Sequence, residues 1–166
     1  LELRCLAHFM AKWDGGAYGE ILLNGDIHTA NQEAAGLPTR NKAKTFIYSF
    51  LYGAGDSKIG SIVGGTEEDG KKLKKKFLKS LPALGKLVEA VKESAKKGYL
   101  KGLDGRLLHV RSTHAALNTL LQSAGALVCK KWLVILEEEL KARGLKHGWD
   151  GDYAFSAWVH RQHCAR

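Results

Sequence analysis

The sequence predicts an α+β chain, mostly helical, with one short hairpin and a strand near its C-terminus. Three observations carry that prediction. Apolar residues recur at helical spacing through most of the chain. Two prolines against 19 glycines suggest long helices joined by glycine turns. Asp104-Gly105 sits at the centre of an alternating stretch, a strong hairpin signal. The 166 residues, 45% hydrophobic and 26% charged, suffice for one globular domain.

Taken in order, residues 2–12 place Leu3, Leu6, Ala7 and Met10 on one helical face, which Gly15 and Gly16 end. A short segment runs to Asn24-Gly25-Asp26, a turn or N-cap signal. Residues 29–35 read as a short helix stopped by Gly36 and Pro38. Thr39 is an N-cap candidate for a helix through Tyr52, closed by Gly53 and Gly55. Asp56 opens another through Val63. Residues 66–79 put Glu67, Glu68 and Asp69 ahead of six lysines, an order that suits the helix macrodipole. Pro82 starts a helix ending near Gly98, and the hairpin occupies 99–110. The longest helix is expected from Thr113 to Arg143, with Leu117, Leu120, Leu121, Ala124, Val128, Leu133 and Leu136 on its apolar side. A strand is expected from Tyr153 to His160, and no repeat or second domain is visible.

A net charge of +9 and a pI of about 9.5 bias the chain toward polyanionic partners. Cys5, Cys129 and Cys164 have no paired spacing, which argues against a disulfide framework. No zinc-ligand spacing occurs. No apolar run is read as reaching the roughly 18 residues of a membrane span, so no membrane partner is expected. Gly65-x4-Gly70-Lys71 imitates a phosphate-binding loop, but Lys72 stands where Ser or Thr is required and three acids fill the loop.

Arg40, Lys44, Tyr48 and Tyr52 recur every four residues, and the first three share one stripe with its cations nearest the helix N-terminus. That is a natural phosphate site, and His28 upstream could add a donor. A plain reading is an exposed basic face over buried aromatics. The whole run, Arg40-x3-Lys44-x3-Tyr48-x3-Tyr52-Gly53, resembles motif B of the DNA polymerases related to bacterial polymerase I (family A), especially the phage T7-like enzymes. The resemblance implies that Arg40 and Lys44 contact the triphosphate of a dNTP, that Tyr48 packs by the nucleoside, and that His28 assists at the phosphates. Single-subunit RNA polymerases share a similar pattern. Leu1-Glu2-Leu3-Arg4 looks like the tail of the DNA enzymes' motif A, where the matching glutamate excludes a 2′-hydroxyl.

His114, Asn118 and Gln122 form a second stripe, with Arg111 just ahead. Without context they are a solvated face. The run from Arg111 to Ala126 resembles the T7-like residues that lie along the primer–template minor groove, as does His160 at motif C. Amides there sense pair geometry without reading sequence, because minor-groove acceptors occupy nearly equivalent places in every pair.

The implied fold is the fingers plus part of the palm of a right-hand polymerase: 1–28 palm, 29–98 fingers, 99–166 palm. The implied activity is template-directed DNA synthesis by a two-metal mechanism in the cytoplasm of a phage-infected bacterium, with primer–template DNA and dNTPs as partners and no processivity partner assigned. Mg2+ is implied for the complete enzyme, but no metal ligand set is expected in this chain. Arg161 follows His160 where motif C places an aspartate, and the motif A aspartate would precede Leu1, so both ends read as cut and the isolated chain is expected to be inactive. A one-base shift in the gene would restore His-Asp at 160–161. The alternatives are a catalytically dead nucleotide- or DNA-binding remnant, a fragment like a single-subunit RNA polymerase, and a basic structural helical protein.

Overall fold

The computed structural model describes residues 1–156. His160, Arg161 and most of the expected C-terminal strand lie outside them. The chain divides into two compact units, Leu1–Leu127 and Val128–Arg166.

In the first unit α1 (Glu2–Asp14) buries Leu3, Leu6, Ala7 and Met10, the expected face, and ends on Gly15 in the left-handed conformation. A helix then appears where a turn segment is expected: α2 (Ala17–Asn24). The Asp14 carboxylate accepts from the backbone N–H of Gly16 at 2.8 Å and of Tyr18 at 3.1 Å, so the residue that ends one helix starts the next. Tyr18 anchors α2 by bonding Asn31, the one buried polar residue among those described, on α3 (Ile27–Ala35).

The helix α4 (Arg40–Leu51) is capped by Thr39, and α5 (Asp56–Val63) follows. In α6 (Glu67–Ser80) Thr66 and Asp69 form a reciprocal capping box. α5 and α6 pack closely because Gly70 has no side chain: a Cβ there would collide with the carbonyl oxygen of Asp56. α7 (Pro82–Ala95) leads into the hairpin, β1 (Tyr99–Lys101) antiparallel to β2 (Leu107–His109), with Leu100 opposite Leu108. A 3-10 turn at Thr113–Ala115 then feeds α8 (Ala116–Ala142). The core centres on Phe46, Ile47, Ile59, Phe77, Leu84 and Leu121.

The stretch Thr113–Ala142 is long and apolar enough to cross a membrane by length and composition alone, at a mean hydropathy of 1.3. That corrects the expectation that no run reaches a span. Its first half does core work instead, burying Leu117, Leu120, Leu121 and Ala124.

In the second unit the rest of α8 exposes Val128, which the helical spacing places on the apolar side, together with Trp132, Val134 and Ile135. Beyond it the Asp152 carboxylate accepts from the Lys146 N–H at 2.7 Å and closes a turn. Rings of His147, Tyr153 and Phe155 cluster 5.2–5.7 Å apart. Among the described residues, the expected strand beginning at Tyr153 is a single bridge to His147, because the backbone bonds here go to the 146–148 turn and not to a neighbouring strand.

Candidate nucleotide and nucleic-acid interface

The Thr39 hydroxyl accepts from Lys42 N–H at 3.2 Å, which fixes the first turn of α4 and leaves Arg40 as its first residue. Ala43, Phe46, Ile47 and Leu51 face inward. Phe77 of α6 packs edge-on against Phe46 at 5.0 Å and Phe50 at 5.8 Å, so aromatic packing sets the rotation of α4. Arg40 and Lys44 are therefore exposed, while Tyr48 and Tyr52 are half-buried.

His28 lies beside this stripe on the first turn of α3, its ring 6.2 Å from that of Tyr48. Burial lowers its pKa below the ordinary imidazole value; Arg40 and Lys44 lower it further, and Asp26 opposes. Its Nδ1 is buried with no hydrogen-bond partner. Arg40 itself is held by Asp26, Nε to Oδ2 at 2.6 Å and Nη2 to Oδ1 at 3.1 Å, and this hydrogen-bonded guanidinium keeps the Asp26 carboxyl far below its usual range. Three cationic or titratable groups from two helix N-termini thus meet at one corner, with a single carboxylate among them.

Glu2 lies at the other end of the stripe. Its Oε1 accepts from the Tyr52 hydroxyl at 3.3 Å, and Gln122 bonds both residues. Burial raises the Glu2 pKa, but its backbone bond, the terminal ammonium and these two side chains outweigh burial, and the net shift is downward. Asn118 and Gln122 stand half-buried on α8, opposite Leu117, Leu120 and Leu121, as the two-faced pattern predicts. His114 is exposed in the 3-10 turn, whose start Ser112 caps, and Arg111 is exposed just before it. Gly53, with φ of +77°, lets α4 end against this turn; a Cβ there would strike the His114 carbonyl. The structure therefore joins the two stripes through Glu2, Tyr52, Gly53 and Gln122. His160 and Arg161 fall outside the described residues.

Sequence reasoning missed two members of this cluster. Asp26 is legible as an N-cap, but its pairing with Arg40, 14 residues on, is not. Tyr52 is legible as the last position of the four-residue spacing, but its bond to Glu2 depends on a contact across the fold.

A cavity of about 130 Å³ behind Gly53, lined by Phe50, Lys74, Val91, Lys92 and His114, is well below the roughly 300 Å³ at which ligand sites begin. Among the described residues no three His, Cys, Asp or Glu side chains are grouped as metal ligands, and residues 157–166 contain no Asp or Glu.

The chain matches the sequence model of DNA polymerase family A over residues 1–160. It is 61% identical over 175 residues to the DNA-directed DNA polymerase of Escherichia phage T7 and 60% identical to that of Enterobacteria phage T3. Each match takes in 96% of this chain and 25% of the relative, so the chain spans about a quarter of their length. A solved structure, the POL domain of Pol1 from M. smegmatis in complex with DNA primer-template and dNTP, shares the fold with a TM-score of 0.73 at 20% identity, over 87% of this chain and 29% of that one. The family model, together with the extent of the two phage matches, sets aside the RNA polymerase-like alternative and the merely structural one: the chain belongs to DNA polymerase family A.

Proposed function

We propose that the chain supplies the nucleotide-binding fingers and part of the palm of a DNA-directed DNA polymerase that transfers nucleotides from dNTPs to a primer 3′ end in phage replication, in the cytoplasm of the infected host. Residues 1–28 and 99–166 are the palm segments and 29–98 the fingers. The observation that carries this reading is the convergence of Arg40, Lys44 and His28 at two helix N-termini, a cationic corner suited to a triphosphate. Tyr48 packs by the nucleoside, and Glu2, held by Tyr52 and Gln122, excludes a 2′-hydroxyl. Arg111 and His114 meet primer–template DNA with Asn118 and Gln122, and the resemblance assigns His160 to DNA contact as well. The complete enzyme uses Mg2+.

The test is calorimetric binding of dTTP by the 166-residue chain. Arg40→Ala and Lys44→Ala should each weaken it by about tenfold or more, the size of a charge-assisted contact. Equal affinity in both variants, or none in the parent chain, overturns the assignment.

A second reading, a nucleotide- and DNA-binding chain without catalysis of its own, is favoured by Arg161, a cation following His160 where the resemblance places an aspartate. Primer extension by this chain with Mg2+ and dNTPs would exclude it.

A further inference from the structure

We propose that Asp26 is a positioning residue for polyphosphate capture, holding Arg40 and the turn that carries His28 in one orientation before a nucleotide arrives. The inference rests on the reading that Arg40, Lys44 and His28 receive the triphosphate.

Four hydrogen bonds converge on this one carboxylate. Oδ1 accepts from the backbone N–H of His28 at 3.0 Å and from Arg40 Nη2 at 3.1 Å. Oδ2 accepts from the Thr29 hydroxyl at 3.0 Å and from Arg40 Nε at 2.6 Å. A carboxylate offers about four acceptor positions, so Asp26 is saturated. Two of its bonds start α3 and two fix the first side chain of α4.

The pairing with Arg40 is side-on. It occupies Nε and one proton of Nη2, and leaves Nη1 and the outer edge of the guanidinium clear of the carboxylate. That free edge is the fork that suits a phosphate. Arg40 is half-exposed, with a side-chain accessibility of 50%, and an unpaired arginine there would sample many rotamers. Asp26 removes that freedom in advance, so less ordering remains when an anion binds. On its ring side the buried His28 Nδ1 has no hydrogen-bond partner, and the ring lies 6.2 Å from that of Tyr48. Its placement comes from the backbone turn that Asp26 caps.

A carboxylate beside a phosphate site also repels the ligand, and the two effects predict opposite signs. Calorimetry with inorganic tripolyphosphate and with dTTP, at low ionic strength, separates them. For a positioning residue, Asp26→Asn weakens both ligands by about three- to tenfold, the effect of leaving one long side chain to be ordered on binding. Asn keeps an N-cap acceptor, so far-UV circular dichroism should show α3 retained. Asp26→Glu, which keeps both acceptor oxygens, should recover part of the loss. In an Arg40→Ala background Asp26→Asn should change affinity by less than about twofold, because the residue acts through Arg40. Unchanged or tighter binding by Asp26→Asn overturns the proposal, as does an equal loss in the Arg40→Ala background. If Arg40→Ala alone has no effect on tripolyphosphate, the underlying triphosphate reading fails, and this inference fails with it.

Discussion

The hydroxyl of Tyr52 donates to Glu2 Oε1 across 3.3 Å, joining the C-terminal end of α4 to the first turn of α1 over fifty positions of sequence. Gln122 of α8 bonds both, so three helices share one polar node. The node lies where the cationic stripe of α4 meets the amide stripe of α8.

Tyr52→Phe removes the bond without changing the ring. The chain should lose about 1 kcal/mol of stability in urea unfolding near pH 7, the usual size for one part-buried hydrogen bond. It should also lower the preference for dATP over ATP, because Glu2 loses a restraint. An unchanged preference would separate Glu2 from sugar selection.

Phe77 is fully buried between Phe46 and Phe50. Phe77→Ala should cost about 3–5 kcal/mol, through lost burial and the cavity left behind. Denaturant unfolding measures this directly. A cost below about 1 kcal/mol would show that the three rings do not hold α4 in place.

Much of this architecture is legible in the sequence because its signals are local. Thr39 marks a helix start by capping chemistry and Pro82 by its place in a first turn, and Asp104-Gly105 marks the hairpin; all three do so in the fold. The stripes on α4 and α8 follow from a four-residue spacing. α2 is hidden because Gly15 and Gly16 look like a simple break, while its actual start depends on Asp14 reaching forward. The Asp26–Arg40 pair and the Glu2–Tyr52–Gln122 node are hidden for a different reason. The pair needs two elements docked and the node three, which no local sequence pattern encodes.

The six lysines of the 66–79 run are not equivalent. Lys74 bonds Asp56 at 2.8 Å and the Ala54 carbonyl at 2.6 Å, tying α6 to the start of α5. Lys74→Gln should therefore destabilise the chain by about 1 kcal/mol, a value moderated by partial exposure. Exposed Lys75→Gln should leave stability within about 0.5 kcal/mol. If that face tracks a DNA backbone, it should lower the salt slope of primer–template binding by about one. Equal unfolding midpoints for the two variants would contradict the distinction.

Histidine 28 binds its proton less readily folded than unfolded, because burial and then Arg40 and Lys44 lower its pKa below 6.5 against the pull of Asp26. The unfolded chain thus carries more proton between the folded value and 6.5, and stability rises with pH across that window. The penalty is negligible above it and complete below the folded value. An NMR titration should place the His28 midpoint under 6.5, and His28→Gln should flatten this limb of the pH–stability curve. A midpoint at or above 6.5 would refute the electrostatic description. Asp26 acts with the same sign in a lower window: its contribution is complete above its ordinary 3.8 and is lost as pH falls through its lower folded value.

The edge-on packing of Phe77 against two rings of α4 has a mechanical consequence. Close-packed aromatic contacts leave little slack, so interiors of this kind transmit displacement instead of absorbing it. Any swing of α4 is geared to α6, and the arm that carries Arg40 and Lys44 cannot turn without carrying the lysine surface of α6 along.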